Sequence, residues 1–159
     1  MSVRLQREDF DIAAEVATLT RGRDDIGAVV TFSGICRGTE AGAPIAALTL
    51  EHYPEMAEAE IARHIDEAQS RWPLLGVRVI HRYGRLTPRE NIVLVVTVST
   101  HREAAFAAAE FLMDYLKTRA PFWKLVEQAG AKNWVEAKQD DDKAAARWTA
   151  PPGRDEAAE

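Results

Sequence analysis

NIVLVVTVSTHREAAFAAAEFLMDYLKTRAPFWK, residues 91–124, places a strand directly before a helix, and that junction decides the fold class. Residues 91–99 fit a strand. Residues 101–118 carry apolar side chains at helical spacing, with Phe106, Ala109, Leu112 and Leu116 forming a stripe assigned to packing. Pro121 should stop this helix near Arg119, because it lacks an N–H and its ring restricts the residue before it. No glycine-rich phosphate loop or G-x-G-x-x-G turn follows this strand or any other, which argues against a doubly wound parallel sheet and for an α+β arrangement.

Working outward, residues 3–7 suit a short strand and Phe10 to Leu19 a helix, with Phe10, Ala13, Ala14 and Ala17 on one side. Further strands fit 26–36, 45–53 and 77–83. A second helix fits 54–71, where Pro54 suits the first turn and Ile61, Ile65 and Ala68 form the apolar stripe. In the run from Ala28 to Arg37, alternation puts Val30, Phe32, Gly34 and Cys36 on one face and Thr31, Ser33, Ile35 and Arg37 on the other. Gly38 to Pro44 reads as a flexible loop.

A chain of 159 residues can bury one core, so one domain over residues 1–150 is expected, followed by a disordered, charged tail at 151–159. The net charge of −5 argues against a nucleic-acid binder. The absence of a long apolar run or a signal-peptide pattern points to no membrane association and a cytoplasmic location. The single cysteine and four scattered histidines offer no metal-ligand spacing, so neither a metal nor a cofactor is expected. Cys36 reads as a small buried hydrophobe.

The candidate site is cationic in an otherwise acidic chain. Thr100 and Glu103 have capping-box spacing, which would place His101 and Arg102 in the first helical turn, where free N–H groups and the dipole favour an anion. Arg102 opposes that dipole, so helix stability does not explain it. Lys117 lies at the other end, and Pro121-Phe122-Trp123 brings apolar surface between it and Lys124; partial burial there would lower a lysine pKa enough for acid–base work. Arg37 ends a strand before a loop, where it could clamp an anion. Phe32 and Met113 could line a pocket for a flat heterocycle. Each residue also has a plainer reading: a surface arginine, a lysine complementing the dipole, a histidine with an ordinary hydrogen bond, a core aromatic or methionine. His81-Arg82 reads as a pair shaping a turn, and the four tryptophans read as core or interface anchors.

Read in order, Phe32-Ser33-Gly34-Ile35-Cys36-Arg37, Leu50-Glu51-His52-Tyr53-Pro54-Glu55-Met56-Ala57, His81-Arg82-Tyr83-Gly84, His101-Arg102, Leu116-Lys117, Ala120-Pro121-Phe122-Trp123-Lys124 and Trp134-Val135-Glu136 resemble the large, catalytic subunit of molybdopterin synthase. The resemblance runs from about residue 3 to residue 148. It implies an α/β-hammerhead fold with mostly antiparallel strands, and sulfurtransferase activity on a pterin phosphate, cyclic pyranopterin monophosphate. Sulfur would come from the C-terminal Gly-Gly thiocarboxylate of a small ubiquitin-like partner, within a heterotetramer built on a homodimer whose pockets could draw on both protomers. It makes Lys117 and Lys124 catalytic, and Phe32, Arg37, His101, Arg102, Met113 and Lys138 substrate-binding.

Two positions depart from the family. Leu125-Val126 stands where a basic residue and a glutamate are usual, so Glu127 is not assigned the family's acidic role. Lys138 stands where arginine is common, and an ammonium cannot grip a phosphate with two teeth. Leu125-Val126 keeps open a non-catalytic anion-binding or assembly module on the same fold. A phosphoester hydrolase using His101 is a further alternative, but no carboxylate pair or metal motif supports it.

Overall fold

The computed structural model describes residues 2–135 and 139–149. Its elements are β1 (Ser2–Gln6), α1 (Ile12–Thr20), β2 (Ala28–Ile35), β3 (Thr39–Glu40), β4 (Ala43–Pro44), β5 (Ala47–His52), α2 (Pro54–Arg71), β6 (Leu74–Arg82), β7 (Gly84–Leu86), β8 (Asn91–Ser99), α3 (Arg102–Thr118), β9 (Phe122–Gln128), β10 (Ala131–Val135) and α4 (Gln139–Ala146). One sheet has the order β1-β6-β8-β2 and a second β10-β9-β5-β7. Only the β1–β6 pair is parallel among the described strand pairs, so the architecture is the expected α+β with mostly antiparallel pairing.

The apolar run of β8 has a simple cause: both of its faces are covered. Val93 and Val95 join Val77 and Val79 of β6 under α2 and α3, packed against Ile61, Ile65 and Leu112. Leu94, Val96 and Val98 face the other way, where Ile80 and Phe10 join them and α1 contributes Val16 and Leu19. A strand buried on both sides reads as a continuous hydrophobic stretch rather than an alternating one. Thr97 is fully buried, and its hydroxyl is satisfied by donating to the Ala105 carbonyl of α3 at 2.6 Å. That bond ties the strand to the helix following it.

A third apolar cluster, Cys36, Ile45, Leu48, Leu50, Leu86 and Val126, belongs mainly to the second sheet. The chain passes from the first sheet to the second between β6 and β7. Gly84 turns this corner at φ +89°, a left-handed conformation that favours glycine, and the end of the Arg7 side chain lies against it.

Several expectations are corrected. Val30, Phe32, Gly34 and Cys36 do not share one buried face, because the β2–β8 register shifts between Gly34 and Ile35. The shift accompanies the turn of Cys36 into the second cluster, whereas Phe32, in regular register before it, is 39 % exposed because β2 is an edge strand. Residues 38–44 form the β3–β4 hairpin rather than a flexible loop. Phe106 does not pack with its stripe and is 61 % exposed. Trp72 and Trp148 do act as anchors: both meet Phe111 edge-on, and Trp148 donates its indole N–H to Asp114 at 2.6 Å, pinning the end of α4 to α3. Trp123 and Trp134 are exposed. The expected tail at 151–159 lies outside the described residues.

Arg82 is a structural clamp. Its buried guanidinium donates through Nε and Nη2 to the Arg7 carbonyl, at 2.9 and 2.8 Å, and through Nη1 to the Asn91 carbonyl at 2.9 Å. Replacing Arg82 with methionine should cost about 3 kcal/mol, since two carbonyls lose charge-assisted bonds that water cannot readily replace. Arg82→Lys should recover less than half of this, because an ammonium lacks the planar fork. Urea unfolding midpoints of the three proteins measure both effects, and a loss below about 1 kcal/mol for methionine would rule out the clamp.

Candidate active site

A cavity of about 350 Å³ opens where the C-terminal end of α3 meets the start of β9. Arg37, Glu40, His81, Met113, Lys117 and Lys124 all contribute to its wall, with apolar side chains such as Leu48 and Leu50 of β5 between them. Three sequence-distant cations are thus gathered on one depression. The local reasons are visible in the chain. The last turn of α3 carries Lys117, helical bonding ends with the Arg119 and Ala120 N–H groups both donating to the Tyr115 carbonyl, and Pro121 then releases the chain into β9. Lys124 is placed by the β9–β5 ladder, opposite Leu50. Arg37 follows the bulge that redirects the end of β2.

Glu40 was not singled out in the sequence, yet it is an acid that meets two of these cations. One of its oxygens lies 3.3 Å from Lys124 Nζ and the other 3.6 Å from Arg37 Nη2. The four-residue interval from Arg37 to Glu40 holds an i,i+3 charge pair, but only the hairpin makes it point at β9. Glu127, by contrast, pairs with Arg85 at 3.0 Å and is absent from the described cavity wall. Leu125 pairs across the ladder with Trp134, and Val126 is buried in the second sheet's apolar cluster, so this departure from the family sits in packing.

His81 also goes beyond its expected turn-shaping role. Its ring stacks on Phe122 at 4.0 Å and its Nδ1 lies 2.8 Å from the Arg82 carbonyl, which can only accept, so Nδ1 carries the proton and Nε2 is left as an acceptor. Burial holds the ring neutral by pushing its pKa down to about 4, with the charges of His52 and Lys117 acting in the same direction against the carbonyl's opposing pull. The cavity therefore contains a neutral imidazole beside its ammonium groups.

The remaining expected site residues lie elsewhere. Arg102 and Lys117 stand at opposite ends of α3, about 22 Å apart along a helix rising 1.5 Å per residue. His101 is the N-cap residue, without a side-chain capping bond, and Arg102 is the first helical residue. The expected Thr100 capping box is not formed; Thr100 donates its hydroxyl to the Asp25 carbonyl instead. Phe32 lies on β2, whose outer edge has no described strand partner. Lys138 lies outside the described residues. Cys36 is buried, does not line the cavity, and its thiol pKa is raised mainly by desolvation, which disfavours a nucleophilic thiolate.

The His81 environment has a consequence for stability. A histidine whose folded pKa is about 4 favours folding in its neutral form. Its contribution is fully present above the unfolded value near 6.5 and is lost as pH falls from there toward 4, by up to about 3 kcal/mol. His52 and His64 are shifted in the same direction by desolvation and add to the slope. Stability measured by urea unfolding should therefore fall between pH 7 and 4.5, and His81→Gln should flatten most of that fall; an unchanged slope would show that His81 is not its source.

Comparisons with known proteins place the chain in a family. A family profile described as MoaE protein matches residues 5–119. A Mesorhizobium japonicum protein named molybdopterin synthase catalytic subunit is 62 % identical over 149 residues, covering 92 % of each chain. The solved MoaE protein from Burkholderia ambifaria superposes with a TM-score of 0.79 at 46 % identity, covering 94 % of this chain and 98 % of its own. A Helicobacter pylori structure of the complex of subunits 1 and 2 of molybdopterin-converting factor matches at 20 % identity with a TM-score of 0.66, covering 86 % and 90 %, and shares the fold. With its profile matched over most of the chain and near full-length identity to named members, this chain belongs to the MoaE family.

Proposed function

We propose that this chain is the catalytic subunit of a molybdopterin synthase, moving sulfur from the thiocarboxylate of a small ubiquitin-like subunit onto cyclic pyranopterin monophosphate. The observation that carries the reading is the convergence of Arg37, Lys117 and Lys124 on one half-apolar cavity. Both reactants are anionic, and fixed cations in a partly desolvated site neutralise them without reorganising as they approach. Met113, Leu48 and Leu50 offer the apolar surface a flat pterin needs.

Lys117 meets the thiocarboxylate carbon and its developing charge, and Lys124 binds substrate or transfers a proton at the facing wall. The chain supplies no sulfur of its own, because its single cysteine is buried and is not among the residues lining the cavity. A small partner fits that need, and the word subunit in the relatives' names points the same way. Residues 1–150 act as one catalytic unit. We place it in the cytoplasm; no described helix is long and apolar enough to cross a membrane.

His101 and Arg102 cannot reach the cavity of their own chain, so in this reading a second copy receives them. The β2 edge carries exposed Val29, Phe32 and Ile35, Phe106 of α3 is exposed as well, and α3 packs against β2. Gly27, just before β2, donates its N–H to Ser99 and approaches the Thr100 carbonyl so closely that no Cβ would fit. The start of β2 therefore lies beside His101 and Arg102. A homodimer closing on this face would bury its apolar side chains and carry Phe32, His101 and Arg102 toward the neighbour's pterin phosphate.

Purified chain with thiocarboxylated partner and no added metal should make molybdopterin. Lys117→Ala should lose far more than tenfold in rate while keeping its fold, and retention of more than about a tenth of activity would end its catalytic role. Sharing between protomers makes a sharper prediction. Equal amounts of Lys117→Ala and Arg102→Ala chains, each inactive alone, should regain roughly a quarter of wild-type activity after exchange, since half the dimers are hybrids with one intact site. No regain on mixing would place each site within a single chain.

A further inference from the structure

The double pairing of Glu40 calls for a functional account, because a partly buried acid in an anion site works against the anion. We propose that Glu40 is a resident counter-anion that holds Arg37 and Lys124 ready in the empty cavity and is exchanged for the anionic group of the substrate, thereby setting which ligands are admitted. The proposal rests on the reading of this cavity as the sulfur-transfer site. It adds a specificity-determining residue that binds through neither reacting atom.

The geometry separates a fixed backbone from a movable carboxylate. Gln128 of β9 donates its side-chain amide to the carbonyls of both Glu40 and Ala43, at 2.9 and 3.2 Å, so the hairpin is clamped to the second sheet. The Ile45 N–H closes its base on the Gly38 carbonyl at 3.0 Å. Its turn is a two-residue one with both central residues left-handed, Ala41 at φ 50° and Gly42 at φ 79°, the geometry that matches strand twist. Exchange therefore needs only a rotation of the Glu40 side chain.

The contacts are suited to exchange. Carboxylate and cation stand at 3.3 and 3.6 Å, longer than the 2.7–2.9 Å of tight charge-assisted bonds, and each oxygen serves one cation. Glu40 is nonetheless 14 % exposed, so its charge is felt by both partners. The described wall holds Arg37, Lys117 and Lys124 against Glu40 and Asp141. Without Glu40, Lys124, whose side chain is 29 % exposed, would lose this counter-charge in a half-apolar cavity, while Arg37, 66 % exposed, would stay solvated but lose the anion that draws it toward Lys124. A phosphate ester brings more negative charge and more acceptor oxygens than one carboxylate and can take its place. A neutral heterocycle cannot, and so gains no ionic contact by entering. Val126, two residues beyond Lys124, is buried in the second apolar cluster, and Glu40, from a different part of the chain, is a carboxylate that faces Lys124.

The test is a titration of inorganic phosphate, at constant ionic strength, into wild-type protein and the variants Glu40→Gln, Glu40→Ala and Arg37→Ala/Glu40→Gln, with thermal melts confirming that each is folded. Glu40→Gln and Glu40→Ala should both bind phosphate roughly three- to ten-fold more tightly than wild type, the scale of removing partly screened pairs, and the added Arg37→Ala should erase the gain. Equal or weaker binding by Glu40→Gln would overturn the proposal. So would a gain confined to Glu40→Ala, which would mark added room rather than lost charge, or a gain that survives Arg37→Ala. The sulfur-transfer assay on the wild type is read separately: failure there removes the catalytic reading, whereas failure of the titration in an active enzyme removes only the role of Glu40.

Discussion

Burial of β8 on both faces is the constraint from which the site follows. Val93 and Val95 must be covered on one side and Leu94, Val96 and Val98 on the other, so α1 takes one face of the sheet and α2 with α3 take the other. Because only two residues separate the end of β8 from the start of α3, the helix has to double back across the strand it has just left. The Thr97 hydroxyl bonded to the Ala105 carbonyl fixes that return. A helix of 17 residues laid over the sheet this way carries its last turn beyond the buried layer, and Lys117 arrives at the second sheet as a result.

The cavity is then a balance between charge and apolar surface. Cations in low-dielectric surroundings repel one another strongly, and a cavity lined partly by leucine and methionine does little to screen them. Glu40 offsets Arg37 and Lys124, while burial keeps His81 from adding a further positive charge. Stacking on Phe122 supplies the contacts that make a buried neutral imidazole acceptable. The same packing that hides His81 also sets the position of β9 relative to α3, so the electrostatics and the shape of the site have a common origin.

Much of this was legible in the sequence where a segment answers to its own neighbours. Helix 54–71 and strand 91–99 match α2 and β8 end to end, and α3 begins one residue later than expected, because Pro54, the apolar stripes and Pro121 act locally. Arg37, Met113, Lys117 and Lys124 do share a cavity, which no spacing rule could have shown, and they were found through the order of short motifs resembling a family. Strands β7, β9 and β10 were missed since they are short or carry polar and apolar residues without clean alternation, and β7 and β9 pair with β5 from far along the chain. Glu40 was missed for a related reason: its meaning depends on an antiparallel hairpin within what composition marks as a loop. The capping-box spacing at Thr100 misled because the hydroxyl found the Asp25 carbonyl, a competitor invisible from the helix alone.

The corner at Gly84 has a further implication, for the order in which the molecule assembles. The second sheet takes its strands from residues 47–52, 84–86, 122–128 and 131–135, interleaved along the chain with those of the first. Its pairings close long loops, and loop closure of that kind is entropically slow compared with the local docking of a helix on a hairpin. On a ribosome the first sheet has all four of its strands once residue 99 has emerged, whereas the second then has only the β5–β7 pair, and the other edge of β5 waits for β9. Lys124 and the partner strand of Leu50 are therefore among the last pieces delivered. Catalytic competence in this chain is a late event of biosynthesis, and a nascent or truncated product can carry a well-packed first sheet while having no site at all.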